Sequence, residues 1–317
     1  MMMDEELADA PPVIVIGGPT ASGKSALAVD LAEELGGVVI NADAMQVYRD
    51  LPILTARPGE AECARVPHRL FGMIDATDPC SAGRWRDLAL AAIRESRAEG
   101  KHPVVVGGTG LYLKALCDGI DDIPAVPAAL RAALEARYDA EGGFVFRAAL
   151  ARGDPQTAGR LPPTDRQRLV RAAGVLEATG RPLSAWQTGA TARMGPAVLT
   201  QTFILLPPRE AIYAACDTRF EAMVEQGALA EAQAFLARGF DPSLPLMKAV
   251  GLRELGRHLA GETALEEAIA EGCRATRRYA KRQYTWFRHQ IPGANTYNAQ
   301  HSESLSLEIF KKIRQSY

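Results

Sequence analysis

No apolar run in the sequence approaches the roughly 18 residues that a membrane-spanning helix needs, which argues against a helical membrane protein and for a soluble globular one. Cysteine is scarce: Cys63, Cys80, Cys117, Cys216 and Cys273 are odd in number, far apart and never in a C-x-x-C pair. That pattern suggests neither a disulfide framework nor a zinc site and points to a reducing, cytoplasmic compartment. The opening MMMDEELADAPP lacks the basic charge of a signal or transit peptide, so residues 1–12 read as a solvated acidic tail. Internal repeats and low-complexity tracts are also missing, so no repeat architecture is expected. The most informative absence is local. Although the formal net charge is only -2, no acidic residue stands between Glu271 and Glu303, while Arg274, Arg277, Arg278, Lys281, Arg282 and Arg288 accumulate there.

A chain of 317 residues that is 47% hydrophobic can bury a substantial core, in one large domain or two smaller ones. Short β-branched runs at Val13–Ile16, Val38–Ile40, Val104–Val106 and Thr202–Leu206, with helical patterns after the first and third, predict an α/β fold. Its strands should be parallel and joined by right-handed crossovers. From about Pro124 the composition shifts to Ala and Arg, with helical stretches at Pro127–Ala140 and Asp165–Thr179 and no convincing strand. The glycine- and proline-containing TGATARMGPA closes that region. Residues 11–123 and 201–317 are therefore expected to form a P-loop NTPase-like core, a parallel sheet flanked by helices, and residues 124–200 an inserted all-helical subdomain. After residue 210 the chain is mainly helical, with breaks at GFDPSLP and IPGANT.

After the first run, Gly18, Gly23, Lys24 and Ser25 satisfy G-x-x-x-x-G-K-[ST] between a strand and a helix. Glycines there let backbone N–H groups turn toward phosphate oxygens, the positive helix end adds to the field, and Lys24 neutralises charge. Ser25 offers a hydroxyl to Mg²⁺. In open parallel sheets ligands bind beyond the carboxyl ends of the strands, so the loop, NADAMQVY with Asp43, and the end of HPVVVGGTGLYL should converge. An ATP-hydrolysing P-loop enzyme usually ends such a strand in a magnesium-holding Asp, whereas this one ends in Gly107, Gly108 and Thr109. Asp43 is then the carboxylate nearest the phosphates, as a metal partner through water or as a general base; standing alone, it would read as a turn former or helix cap. A small-molecule kinase remains open at this point, with Asp43 activating a hydroxyl.

CRATRRYAKRQYTWFRHQ is helical in pattern, and Arg274, Arg278, Lys281, Arg282 and Thr285 fall close to one stripe. Such a stripe is a solvated face or an anionic-partner surface. A second basic set, Arg166, Arg168 and Arg171 in TDRQRLVRA, on a helix started by Thr164 or Asp165, favours a polyanion larger than a nucleotide.

Over nearly its whole length the sequence resembles the tRNA dimethylallyltransferases, also called tRNA isopentenyltransferases. GPTASGKS, NADAMQVYRDLPILTARP, VPHRL, VGGTGLYLKAL, DRQRLVRA, KAVGLREL and ATRRYAKRQYTWFR fall in the family's order. The resemblance implies transfer of the prenyl group of dimethylallyl diphosphate to N6 of the adenosine at tRNA position 37. It further implies that Gly18, Pro19, Thr20, Ala21, Ser22, Gly23, Lys24 and Ser25, with Arg219 from DTRFEAM, hold the diphosphate and Mg²⁺, and that Asp43, Thr109 and Arg219 are catalytic. The tRNA contacts it implies are Asp43, Ala44, Met45, Gln46 and Thr109 around the extruded base, and Gln167, Arg168, Leu169, Val170 and Arg171 in the insertion. Lys248, Ala249, Val250, Gly251, Leu252 and Arg253 follow, then Arg277, Lys281 and Arg282; Arg131 is aligned by its spacing from Thr109. Four positions depart from the pattern: Lys248 replaces the usual Arg, Leu252 a common Tyr, Ala44 a common Ser and Leu54 a usual Gly. Lysine keeps the charge at 248 but not the planar fork. A monomer is the default expectation.

Overall fold

The computed structural model describes residues 11–121, 123–188, 193–194, 198–291 and 293–315. Residues 1–10 of the expected tail, and most of TGATARMGPA, lie outside the described residues. The chain resolves into two compact units, residues 1–118 with 196–317, and residues 119–195.

The first unit opens with β1 (Val13–Gly17), the phosphate-loop sequence and α1 (Lys24–Glu34), followed by β2 (Val38–Asn41), α2 (Glu60–Arg65), β3 (His68–Arg69), α3 (Ala82–Ala98), β4 (Pro103–Gly107) and α4 (Gly110–Cys117). The second unit holds β5 (Ile120–Asp121), five helices, α5 (Ala128–Glu141), α6 (Gly143–Ala151), α7 (Pro155–Arg160), α8 (Arg166–Thr179) and α9 (Leu183–Thr188), and β6 (Arg193–Met194). The first unit then resumes with β7 (Thr200–Leu205), α10 (Arg209–Glu225), α11 (Ala228–Leu236), a 3₁₀ turn at Pro245–Lys248, α12 (Leu252–Leu259), α13 (Leu265–Gln290), β8 (Asn295–Tyr297) and α14 (Glu303–Arg314).

The six strands of the main sheet lie in the order β3-β2-β4-β1-β7-β8, and every pair is parallel. The predicted runs are its centre, and their near-continuous apolarity has a simple cause: both faces are covered. Val13, Val15, Val38, Ile40, Val105 and Ile204 face one core with Trp85 and Phe287, while Ile14, Ile16, Val39, Val104, Val106 and Phe203 face another. Leu27 and Leu31 of α1 and Leu305, Ile309 and Ile313 of α14 close that second face. Edge strands β3 and β8 carry no apolar run, and β8 starts within the last two residues of the predicted IPGANT break. No described helix is long and apolar enough to cross a membrane.

In the insertion, Leu134, Phe146, Leu150, Leu169, Val170 and Val175 build a core of their own. Asp165 is the cap of α8, its carboxylate accepting from Arg168 N at 3.3 Å. Buried Asp154 does the same for α7, accepting from Thr157 N at 3.0 Å, and its second oxygen takes Ser184 N at 3.1 Å. The unit is helical except for β5 and β6, an antiparallel pair of two residues each in a region where no strand was expected. Pairs that short leave no periodicity to read.

The ends of the central strands are packed backbone to backbone. A Cβ on Gly107 would lie 2.1 Å from Ala42 O and 2.2 Å from its carbonyl carbon, neither of which can rotate away. Gly107→Ala should therefore destabilise the protein by about 3 kcal/mol, as overpacking does when backbone must shift. Urea unfolding followed by circular dichroism checks this, and an unchanged midpoint would contradict the close approach.

Candidate active site

The loop between β1 and α1 takes its shape from backbone that only certain residues tolerate. Gly23, at φ +86°, is the first cap of α1, and a Cβ there would sit 2.5 Å from His301 Cβ; Ala21 is left-handed as well, at φ +62°. Pro19 O accepts both Ser22 N at 3.3 Å and Lys24 Nζ at 3.1 Å, so the lysine arches back across the loop. Thr20 N is turned to Gln283 Oε1 at 2.8 Å. Main-chain groups of Pro19, Thr20 and Ser22 thus build the loop. The N–H groups of Ala21, Gly23, Lys24 and Ser25, at the helix start, have no partner among the described residues. The Ser22 hydroxyl is buried and has no partner among the described residues.

At the end of β2, Asn41 shapes the turn that carries Asp43. Its Oδ1 accepts Asp43 N at 2.8 Å, and its Nδ2 donates to Asp43 O at 3.1 Å and Leu70 O at 3.0 Å. Trp85 Nε1 donates to Asn41 O at 2.8 Å, beneath a stacked Tyr112. Asp43 Oδ1 accepts Met45 N at 2.9 Å, and Oδ2 has no hydrogen bond to a described residue. Thr109 Oγ1 accepts Ala44 N at 2.8 Å, tying the end of β4 to that turn. Gln46 spends both its amide protons on Thr55 O and Ala56 O, at 2.8 and 2.9 Å, so its side chain folds the following loop.

Lys24, Arg219 and Asp43 act on one another electrically. Burial, and then the positive charge of Arg219, lowers Lys24 to about 8, with Asp43 opposing the shift. Arg219 is itself lowered by burial against the raising influence of Cys216 and Asp43. Burial raises the Tyr279 phenol, and Asp43 adds to the rise. A cleft of about 920 Å³ opens from this place, with Ser25 and Arg219 beside Pro52, Ile53, Ala56, Phe71 and Met223. Its walls combine charged side chains of both signs, among them Arg57, Glu60 and Glu62, with apolar ones.

Other sequence-predicted residues fall differently. Leu169 and Val170 are buried in the insertion core, and Ala249 and Leu252 in the main core, so those four side chains are not on the surface. Leu54, at the usual glycine position, is also a core residue and keeps negative φ. Arg277 is paired with Asp217, Arg171 donates to Pro124 O at 3.2 Å, and Arg131 is 3.9 Å from Glu135. Arg168 is exposed beside Asp165, while Lys248, Arg253, Lys281 and Arg282 are open to solvent. Gln167 is exposed, Val250 half-buried and Gly251 buried, at φ +93° against Phe220.

Three residues at the site went unread in the sequence. Gln283 holds the loop, Glu231 accepts Ile53 N and Leu54 N at 2.8 and 2.9 Å on the cleft wall, and His301 backs Gly23 while its ring bonds Asp30 at 2.6 Å. Each acts on backbone or on a distant partner, a role that leaves no local spacing.

A family model described as IPP transferase matches residues 46–290, and one described as isopentenyl transferase matches residues 11–72. The chain is 54% identical over 287 residues to the tRNA dimethylallyltransferase of Rhodospirillum centenum, covering 90% of this chain and 91% of that one. The chain belongs to the tRNA dimethylallyltransferase family. The Parvibaculum lavamentivorans member is 52% identical over 95% of both chains. The crystal structure of a full-length tRNA isopentenylpyrophosphate transferase from Bacillus halodurans superposes with a TM-score of 0.69 at 32% identity, covering 97% of each chain. A eukaryotic dimethylallyltransferase described as acting on tRNA gives 0.74 at 29% identity, over 88% of this chain and 70% of that one. The P-loop NTPase-like fold is thus shared with both of these enzymes.

Proposed function

We propose that this protein transfers the dimethylallyl group of dimethylallyl diphosphate to N6 of adenosine 37 in tRNA and releases diphosphate. The observation that carries the reading is the electrostatic grouping of Lys24 at the start of α1, Arg219 of α10 and Asp43, whose Oδ2 has no partner among the described residues, beside a cleft that Ser25 and Arg219 line together with apolar residues. In this mechanism the N6 lone pair forms a bond to the allylic carbon as the carbon–oxygen bond to diphosphate breaks. The N6 proton passes to Asp43 Oδ2, while the charge growing on diphosphate is met by Lys24, Arg219 and the free amides of Ala21, Gly23, Lys24 and Ser25. Thr109 keeps the Asp43 turn in place through Ala44 N. The adenine must leave its stack to reach Asp43.

No cluster of three or more His, Cys, Asp or Glu suited to a metal occurs among the described residues. A lone Ser25 hydroxyl with a nearby carboxylate suits Mg²⁺, which takes most of its ligands from water and substrate phosphates. Ser25 would hold it, and when bound it supplies charge neutralisation on the diphosphate. Exposed Arg168, Lys248, Lys281 and Arg282 would meet tRNA phosphates. Five free cysteines agree with reaction in a reducing cytosol. A kinase reading is not favoured, because β4 ends in Gly107 and is followed by Gly108 and Thr109, with no carboxylate for magnesium.

Incubation with labelled dimethylallyl diphosphate, Mg²⁺ and unmodified tRNA should place label in the RNA. Label should vanish when the position-37 adenosine is replaced by guanosine. Absence of transfer to any tRNA, with ATP consumed instead, would overturn the assignment.

A further inference from the structure

Gln283 lies in the middle of the basic helix α13, between exposed Arg282 and half-buried Tyr284, yet only 7% of it is exposed. Both ends of its amide are used. Oε1 accepts Thr20 N of the phosphate loop at 2.8 Å, and Nε2 donates to Gly108 O at the end of β4 at 2.9 Å. A Cβ on Gly108 would lie 2.4 Å from that nitrogen, so glycine there makes room for the amide. The next residue, Thr109, holds Ala44 N and with it the turn of Asp43. One side chain therefore spans the loop that would grip the leaving group and the strand end that would place the base.

We propose that Gln283 is a positioning residue for prenyl transfer, a strut that fixes the phosphate loop against the acceptor side from the helix that also presents Lys281 and Arg282. The proposal rests on the function proposed above. Its physical content is directional: the site requires an acceptor toward Thr20 and a donor toward Gly108. Glutamine supplies both at once. A carboxylate supplies only the first and sets a negative oxygen against a carbonyl, whereas a protonated carboxyl supplies both.

Gln283→Glu tests this. At pH 8 its KM for dimethylallyl diphosphate should rise about tenfold or more, with tRNA affinity unchanged. The ratio of mutant to wild-type kcat/KM should climb as pH falls and the carboxyl protonates. A ratio independent of pH, or a loss confined to tRNA affinity, would overturn the strut. Gln283→Met, which removes both hydrogen bonds without adding charge, should raise the donor KM at every pH and serves if the glutamate variant does not fold. Calorimetry of donor binding without tRNA reads the strut separately from the reaction. A wild-type protein that binds the donor but transfers nothing sinks the function, whereas equal donor binding by wild type and both variants sinks the strut.

Discussion

Asp43→Asn should lower the turnover of prenyl transfer by about 10²–10⁴-fold, the range for loss of a positioned general base. Single-turnover transfer to tRNA measures it. Asparagine can still accept Met45 N through its oxygen, so the turn set by Asn41 and Thr109 should persist and donor affinity should change little. What disappears is the basic Oδ2, the oxygen left without a protein partner. An attacking exocyclic amine becomes cationic as it bonds to carbon and must shed a proton. A variant that retained wild-type turnover would show that the proton leaves by another route, leaving the fold and the donor site unaffected.

The second large effect belongs to Lys24. Lys24→Met should weaken dimethylallyl diphosphate binding about 10–100-fold, the loss of one charge-assisted contact of roughly 1.5–3 kcal/mol. The wild-type protein should also bind the donor with a pH signature. Burial and Arg219 bring free Lys24 down to about 8, so it is charged below that pH and increasingly neutral above it. An anion favours the charged form, so affinity should be flat below pH 8 and fall above it, with a proton taken up on binding. Calorimetry in buffers of different ionisation enthalpy should report uptake approaching one proton near pH 9, and none for Lys24→Met. For the ligand-free protein the sign reverses. The folded-state value lies below the ordinary 10.5, so between about 8 and 10.5 the unfolded chain binds more protons and stability gains as pH rises. Uptake below pH 7 would mean that another group carries the titration.

The sequence made the sheet centre legible because Val13–Ile16, Val38–Ile40 and Val104–Val106 are buried on both sides and so read as unbroken apolar runs. It made the loop legible because the geometry of a phosphate cradle imposes spacing on Gly18, Gly23, Lys24 and Ser25. Edge strands His68–Arg69 and Asn295–Tyr297 escaped notice because pairing with one neighbour demands little of their side chains. Gln283 escaped for a different reason: its contact with Thr20 spans 263 residues, and a glutamine within an arginine-rich helix gives no sign of facing inward. Leu169, Val170, Ala249 and Leu252 illustrate the converse. A motif can be diagnostic of a family while part of it serves the core beneath the surface.

The order of the strands also bears on synthesis. Strand β7 pairs with β1 only after the whole insertion has intervened, and α14, which covers the Ile14, Ile16 and Phe203 side, follows every strand of the sheet in the sequence. On the ribosome the nascent sheet therefore keeps an oily flank bare until α14 leaves the exit tunnel, and chaperone demand should persist until that helix docks.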